Sequence, residues 1–164
     1  MEFKDYIKNA QRTSSTKAYS EKIEQGILGM CGELGEVLAS RESSLQMDVE
    51  ELGDVAWYLA EFAVGVYGSA DAVRMSSRWA STHLEDLIIG AALIADHYKK
   101  YLYQGHEFDW DEMRQRISDM IRMFERMCER YGVPPSEVYE RNIAKLRKRY
   151  PDGFEVERSV NREV

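Results

Sequence analysis

GILGMCGELGE, Gly26 to Glu36, places four glycines at every third position of a stretch whose apolar residues otherwise recur at helical spacing. Each glycine inside a helix forgoes roughly 0.5 to 1 kcal/mol relative to alanine, so Gly26, Gly29, Gly32 and Gly35 together give up about 3 kcal/mol of local stability. Such a run survives where side chains have to be missing, for close approach of a neighbouring helix or of a ligand.

The same spacing continues outward from this stretch. Ile23, Ile27, Met30, Leu34, Val37 and Leu38 mark one helix, and Leu52, Val55, Ala56, Leu59, Phe62 and Val66 a second. Leu84, Leu87, Ile88, Ala91, Ala95, Tyr98 and Leu102 mark a third, Ile117, Met120, Ile121, Phe124, Met127 and Tyr131 a fourth, and Tyr139, Ile143, Leu146 and Tyr150 a fifth. Pro134 and Pro135 open that fifth helix, where a first-turn proline loses no hydrogen bond, and Pro151 helps to end it. A short amphipathic piece from Phe3 to Ala10 precedes them, and the polar tail after Phe154 reads as extended chain. No segment keeps a strand-like alternation, so the fold class is all-α, a helical bundle forming a single domain over residues 1–164.

An internal repeat is visible in the pattern. At a shift of 65 residues, Leu52, Val55, Ala56, Leu59 and Phe62 fall on Ile117, Met120, Ile121, Phe124 and Met127. At a shift of 61, Gly29 falls on Gly90 and Leu28 on Ile89. The chain therefore reads as two diverged helix pairs, residues 19–80 and 84–154, which together make a four-helix core.

Composition narrows the function. A formal net charge of −7 argues against general capture of a nucleic-acid polymer, which needs a surplus of lysine and arginine for the phosphates. No apolar run follows a basic start and none approaches the length of a membrane span, so the expectation is a cytoplasmic protein without membrane contact. Cys31 and Cys128 stand among apolar helical neighbours and read as reduced, buried thiols.

The chemistry concentrates in carboxylates. Glu33 and Glu36 stand at i, i+3 on the glycine-rich helix, and Glu51 and Asp54 repeat that spacing on the next, so each pair shares one helix face. Antiparallel packing of the two helices would bring the four acids together, where they repel unless cations neutralise them. Hard oxygen ligands in that number suit Mg²⁺, with Mn²⁺ as a substitute. The plain alternative is a solvated acidic face, against which stands the absence of any lysine or arginine between Lys22 and Arg41. A ferritin-like di-iron centre is disfavoured, because none of His83, His97 and His106 follows an acid by three residues. Glu50 and Glu61 read as exposed or locally ion-paired, with extension of the acidic site the lesser alternative, and Trp57 and Trp79 as core residues, with base stacking the lesser alternative.

GMCGELGEV followed by EELGDVAWYLAEFA resembles the MazG-like all-α nucleoside triphosphate pyrophosphohydrolases, whose signature is Glu-x-x-Glu, a spacer, and Glu-x-x-Asp. The spacer from Glu36 to Glu51 holds 14 residues, and Gly32 stands where many members carry another glutamate. NIAKLRKRYPDGF, Asn142 to Phe154, resembles the segment that closes many short members, so the resemblance spans most of the chain. It implies metal ligation by Glu33, Glu36, Glu51 and Asp54, contact of Lys145 and Arg149 with a triphosphate, a bond from Asn142 to phosphate or sugar, and packing of Tyr58 on the sugar or base. For Lys145 and Arg149 the alternative is a solvated basic face.

The region from Leu87 to Phe154 resembles a second copy whose acids are gone: Ile94 and His97 stand for Glu33 and Glu36, Arg116 for Glu51, and only Asp119 remains opposite Asp54, while Ser77 and Ala80 stand opposite Asn142 and Lys145. Relatives build the four-helix core either across a dimer or within a duplicated chain, as in the dimeric-type dUTPases. This chain resembles the duplicated solution, a monomeric pseudo-dimer with one composite site, a homodimer remaining open. The implied activity is Mg²⁺-dependent hydrolysis of a nucleoside triphosphate to monophosphate and pyrophosphate; the alternative is a catalytically idle nucleotide-binding or assembly module of the same fold.

Overall fold

A computed structural model describes residues 1–43, 48–76 and 80–161. The described chain is helical throughout, with α1 (Phe3–Ala10), α2 (Tyr19–Ser43), α3 (Val49–Tyr67), α4 (Leu84–Gln104), α5 (Trp110–Arg130), α6 (Pro135–Arg149) and α7 (Val156–Val160), and no strand occurs among the described residues. None of these helices is long and apolar enough to cross a membrane.

Helix α3 is the axis of the molecule. From Leu52 to Val66 every residue but Asp54 and Tyr58 is buried, which explains a sequence that is apolar on nearly all sides. Its start is fixed by the Asp48 carboxylate, which accepts from the Glu50 amide at 2.8 Å. Its end is fixed by Gly68, whose φ of 79° is the left-handed conformation that glycine adopts without strain.

Helices α2 and α4 pack on each other, as do α3 and α5, and α2–α3 and α4–α5 complete a four-helix ring. The contacts of α2 with α3 run in opposite order along the two helices: Ile23 against Gly65, Gly26 against Phe62, Gly29 against Tyr58. The pair is therefore antiparallel, and the two acidic pairs fall at the same end. Two of the four glycines permit this packing. A Cβ on Gly26 would sit 2.6 Å from Phe62 Cβ, and one on Gly29 would sit 2.1 Å from the Tyr58 ring. Gly32 and Gly35 have no neighbouring atom within 4 Å of the added carbon, so at these positions a helix contact is not what keeps the side chain away.

Outside the ring, α6 lies on α3, and α1 wedges against both. The apolar stripe of α1, with Phe3, Tyr6, Ile7 and Ala10 at i, i+3, i+4 and i+7, is wholly buried. Tyr6 stacks on Tyr139 of α6 with ring centroids 4.8 Å apart.

Two sequence readings are corrected. The tail after Phe154 turns into the short helix α7 rather than running extended. Cys31 is exposed and only Cys128 is buried, since Cys31 lies on the side of α2 away from the ring; both are free thiols. Trp57 is buried, as expected of a core residue, and its indole N–H donates to Thr13 Oγ1 at 3.1 Å. Trp79 and Ser77 lie outside the described residues.

Candidate metal and phosphate site

The antiparallel α2–α3 pair brings Glu33, Glu36 and Glu51 together, with one carboxylate oxygen of each within 4.8 Å of the others. Glu33 and Glu51 are half-buried and Glu36 is exposed. The crowding shows in proton affinity. Burial, with the charges of Asp54, Glu36 and Glu51, pushes Glu33 up to about 7, against the pull of Lys145. Glu51 is raised for the same reasons, burial first and then Glu36, Asp54 and Asp48. Three oxygen donors at this spacing, in no ion pair among the described residues, fit a hard divalent cation such as Mg²⁺ or Mn²⁺.

Asp54 stands one turn from Glu51, yet its bonds run the other way. Lys145 Nζ donates to both of its carboxylate oxygens at 2.7 Å, and Asn142 Nδ2 donates to Oδ1 at 3.2 Å. The residues read as phosphate contacts are thus brought to the acidic site from α6, across 88 and 91 positions of sequence. Asn142 is 2% exposed, and its amide is oriented by Tyr6, whose hydroxyl donates to Asn142 Oδ1 at 2.7 Å. Burial, with the charge of Asp54, raises the Tyr6 phenol well above its ordinary value, so it stays protonated and keeps donating. Gly53 makes room for this arrangement, since a Cβ there would lie 2.9 Å from Asn142 Cβ and Nδ2.

Beyond Lys145 an open cleft of about 920 Å³ runs between α6, the start of α3 and α7. Among the described residues Arg141, Lys145, Lys148, Arg149 and Arg158 line it against a single carboxylate, Glu50. Arg149 therefore faces the cleft but is not among the residues bonded to the acids. Tyr58 is half-buried, its ring laid over Gly29 and edge-on to Trp57 at 4.9 Å.

Glu61 departs most from its sequence reading. It is fully buried, paired at 3.2 Å with Lys22, whose ammonium also donates to Ser14 Oγ at 2.6 Å. The spacing that puts Glu61 two turns beyond Asp54 carries it into the α2–α3 seam, and the desolvated pair serves packing there. Glu50 is exposed, as expected.

Sequence reasoning passed over Tyr6, Gly53, Arg141, Lys148 and Arg158. Arg141 and Lys148 were findable, since they lie four before and three after Lys145 on one helix face. Tyr6 was signalled only by being a tyrosine in a buried stripe, whose hydroxyl must find a partner. Arg158 is brought to the cleft by α7, which periodicity did not reveal.

The second pair places other chemistry at the aligned positions. Ile94 is buried in the core, Arg116 pairs with Glu112 at 2.6 Å, and Asp119 accepts from Gln115 at 2.9 Å. His97 lies 3.6 Å from Glu112 and edge-on to Phe108. Among known proteins no family model matches this chain, and no curated protein or solved structure matches it.

Proposed function

We propose that this protein is a Mg²⁺-dependent nucleoside triphosphate pyrophosphohydrolase of the MazG-like kind, acting on nucleotides, with deoxynucleotides foremost, to give monophosphate and pyrophosphate. The observation that carries the reading is the meeting of two sets of groups: a carboxylate cluster on α2–α3 and a basic cleft on α6, joined at Asp54–Lys145.

Glu33, Glu36, Glu51 and Asp54 are the residues that would hold Mg²⁺ or Mn²⁺. A bound divalent cation supplies neutralisation of phosphate charge and a water of lowered pKa. The chain's own groups do the rest. Lys145 transfers its donors from Asp54 to phosphate oxygens, and Arg149, Arg141 and Lys148 extend the row of cations along the triphosphate. Asn142, held in one orientation by Tyr6, offers its Nδ2–H to phosphate or sugar. Tyr58 borders the sugar or base. A carboxylate of the cluster takes the proton of the attacking water as its oxygen bonds to phosphorus and the phosphoanhydride bond to pyrophosphate breaks.

Each common ribonucleoside and deoxynucleoside triphosphate is incubated with the protein and Mg²⁺, and pyrophosphate is measured. Release that stops with a chelator and returns with Mg²⁺ or Mn²⁺ supports the enzyme. Folded protein that binds nucleotide without turnover across the whole panel supports the idle binding module, and the replacement of three aligned glutamates by Ile94, His97 and Arg116 is the feature favouring that alternative.

A further inference from the structure

We propose that the outer face of the α2–α4 pair docks a second copy of this chain, with a two-fold axis close to Leu93. The four-helix ring is complete within one chain, so this face is additional to it.

The face is unusual for so charged a protein. On α2 the only charges between Glu24 and Arg41 are Glu33 and Glu36, which turn toward α3, and on α4 no charge occurs between Asp86 and Asp96. Leu28 is 71% exposed, Ile89 54% and Leu93 51%, three large apolar side chains on neighbouring helices. Arg41 pairs with Glu85 at 3.2 Å while the charge of Glu24 acts on Tyr98, so α2 and α4 run antiparallel and their uncharged middles coincide. Cys31, Ala39 and Ala92 are also exposed there. Gly32 and Gly35 add flat surface with nothing within 4 Å of a would-be Cβ, which lets another helix approach closely.

Charge placement selects a second copy over other occupants. Asp86, Ile89, Leu93, Asp96 and Lys100 follow a seven-residue repeat on one stripe of α4, and Asp86 and Lys100 lie equally far from Leu93, about 10 Å each way at 1.5 Å per residue. Turned about Leu93, α4 meets its own copy with Asp86 opposite Lys100 at both ends and apolar residues between. Within one chain Lys100 bonds Asp96 at 2.7 Å, and the ammonium, whose side chain is 42% exposed, keeps donors for the carboxylate across the axis. The face spans roughly 25 Å by 20 Å, of the order that interfaces burying ~800 Å² per partner occupy.

The full chain is examined by sedimentation equilibrium from about 1 to about 100 µM, the range in which an interface of this size associates. The expected species is a dimer, twice the chain mass of 19.0 kDa. Leu93→Glu should give a monomer of unchanged helical content. Asp86→Lys or Lys100→Glu alone should weaken association about tenfold or more, and the two combined should restore it, because the pair re-forms with reversed polarity. Leu93→Cys in a Cys31→Ser background should oxidise to a covalent dimer, a readout independent of how the charge variants fold. A monomer at the highest concentration, or a dimer that Leu93→Glu leaves intact and Leu93→Cys does not cross-link, overturns the proposal.

Discussion

The two helix pairs of the ring share an outline and differ in where their polar groups find partners. In α4–α5 two of the three polar residues at the aligned positions are satisfied locally, Arg116 by Glu112 and Asp119 by Gln115, each one turn away on the same helix, while His97 faces Glu112 across the pair at 3.6 Å. In α2–α3 nothing local serves. Glu33, Glu36 and Glu51 crowd one another, and among the described residues Asp54 is satisfied by Lys145 and Asn142 from α6. A pair that needs only to pack buries the apolar Ile94; a pair that gathers charge depends on the rest of the molecule to hold it.

The sharpest way to break this contrast is through activity. Glu36→Gln and Lys145→Ala should each lower kcat/KM for pyrophosphate release by about 10² to 10³, the scale of losing one essential electrostatic contact. Asp119→Asn should leave turnover unchanged, and an equal loss there would mean that the second pair also works on the substrate.

Next in size is the introduction of an acid into the second pair. Ile94→Glu buries a carboxylate that the surrounding core does not neutralise, and urea denaturation should show a loss of about 3 kcal/mol or more. The aligned glycines extend the same comparison. Gly29→Ala drives a Cβ into the Tyr58 ring and should cost about 1 to 3 kcal/mol. Gly90→Ala meets only the flexible Met120 side chain, 3.4 Å away at its nearest, and the gain in helix propensity makes it neutral or stabilising by up to about 1 kcal/mol. Similar losses at both glycines would erase the distinction between the pairs.

The smallest effect is in pH. Glu33 holds its proton up to about 7 in the folded protein, whereas an unfolded glutamate releases it near 4.5. The folded state therefore binds more protons between these values, and the stability this gives is lost as pH rises through that window. Because Glu33 is half-exposed, the Tm of metal-free protein should fall by only roughly 2 to 4 °C across it, and Mg²⁺ or Mn²⁺ should reverse the fall. A Tm that rises with pH in the presence of chelator would contradict the crowding of the acids.

Much of this was legible beforehand. Helical spacing placed the helices, and i, i+3 spacing put each acidic pair on one face, because both are properties of a single helix. Glu61 shows the limit. Its spacing from Asp54 was read correctly, but whether that face meets solvent or the Lys22 ammonium depends on how α2 crosses α3. The glycine run was legible as a need for missing side chains, yet only packing divides it into Gly26 and Gly29, which touch α3, and Gly32 and Gly35, where an added Cβ would meet no neighbouring atom among the described residues.

By itself the sequence determined the all-α class, the helix pairs and the residue types that meet at the site, since periodicity and local chemistry travel with the chain. The tertiary structure decided that Asn142 and Lys145 close on Asp54, that Tyr6 orients Asn142, and that α7 walls the cleft. These contacts join residues dozens of positions apart, and only the burial of α1 and α6 against α3 fixes their distances.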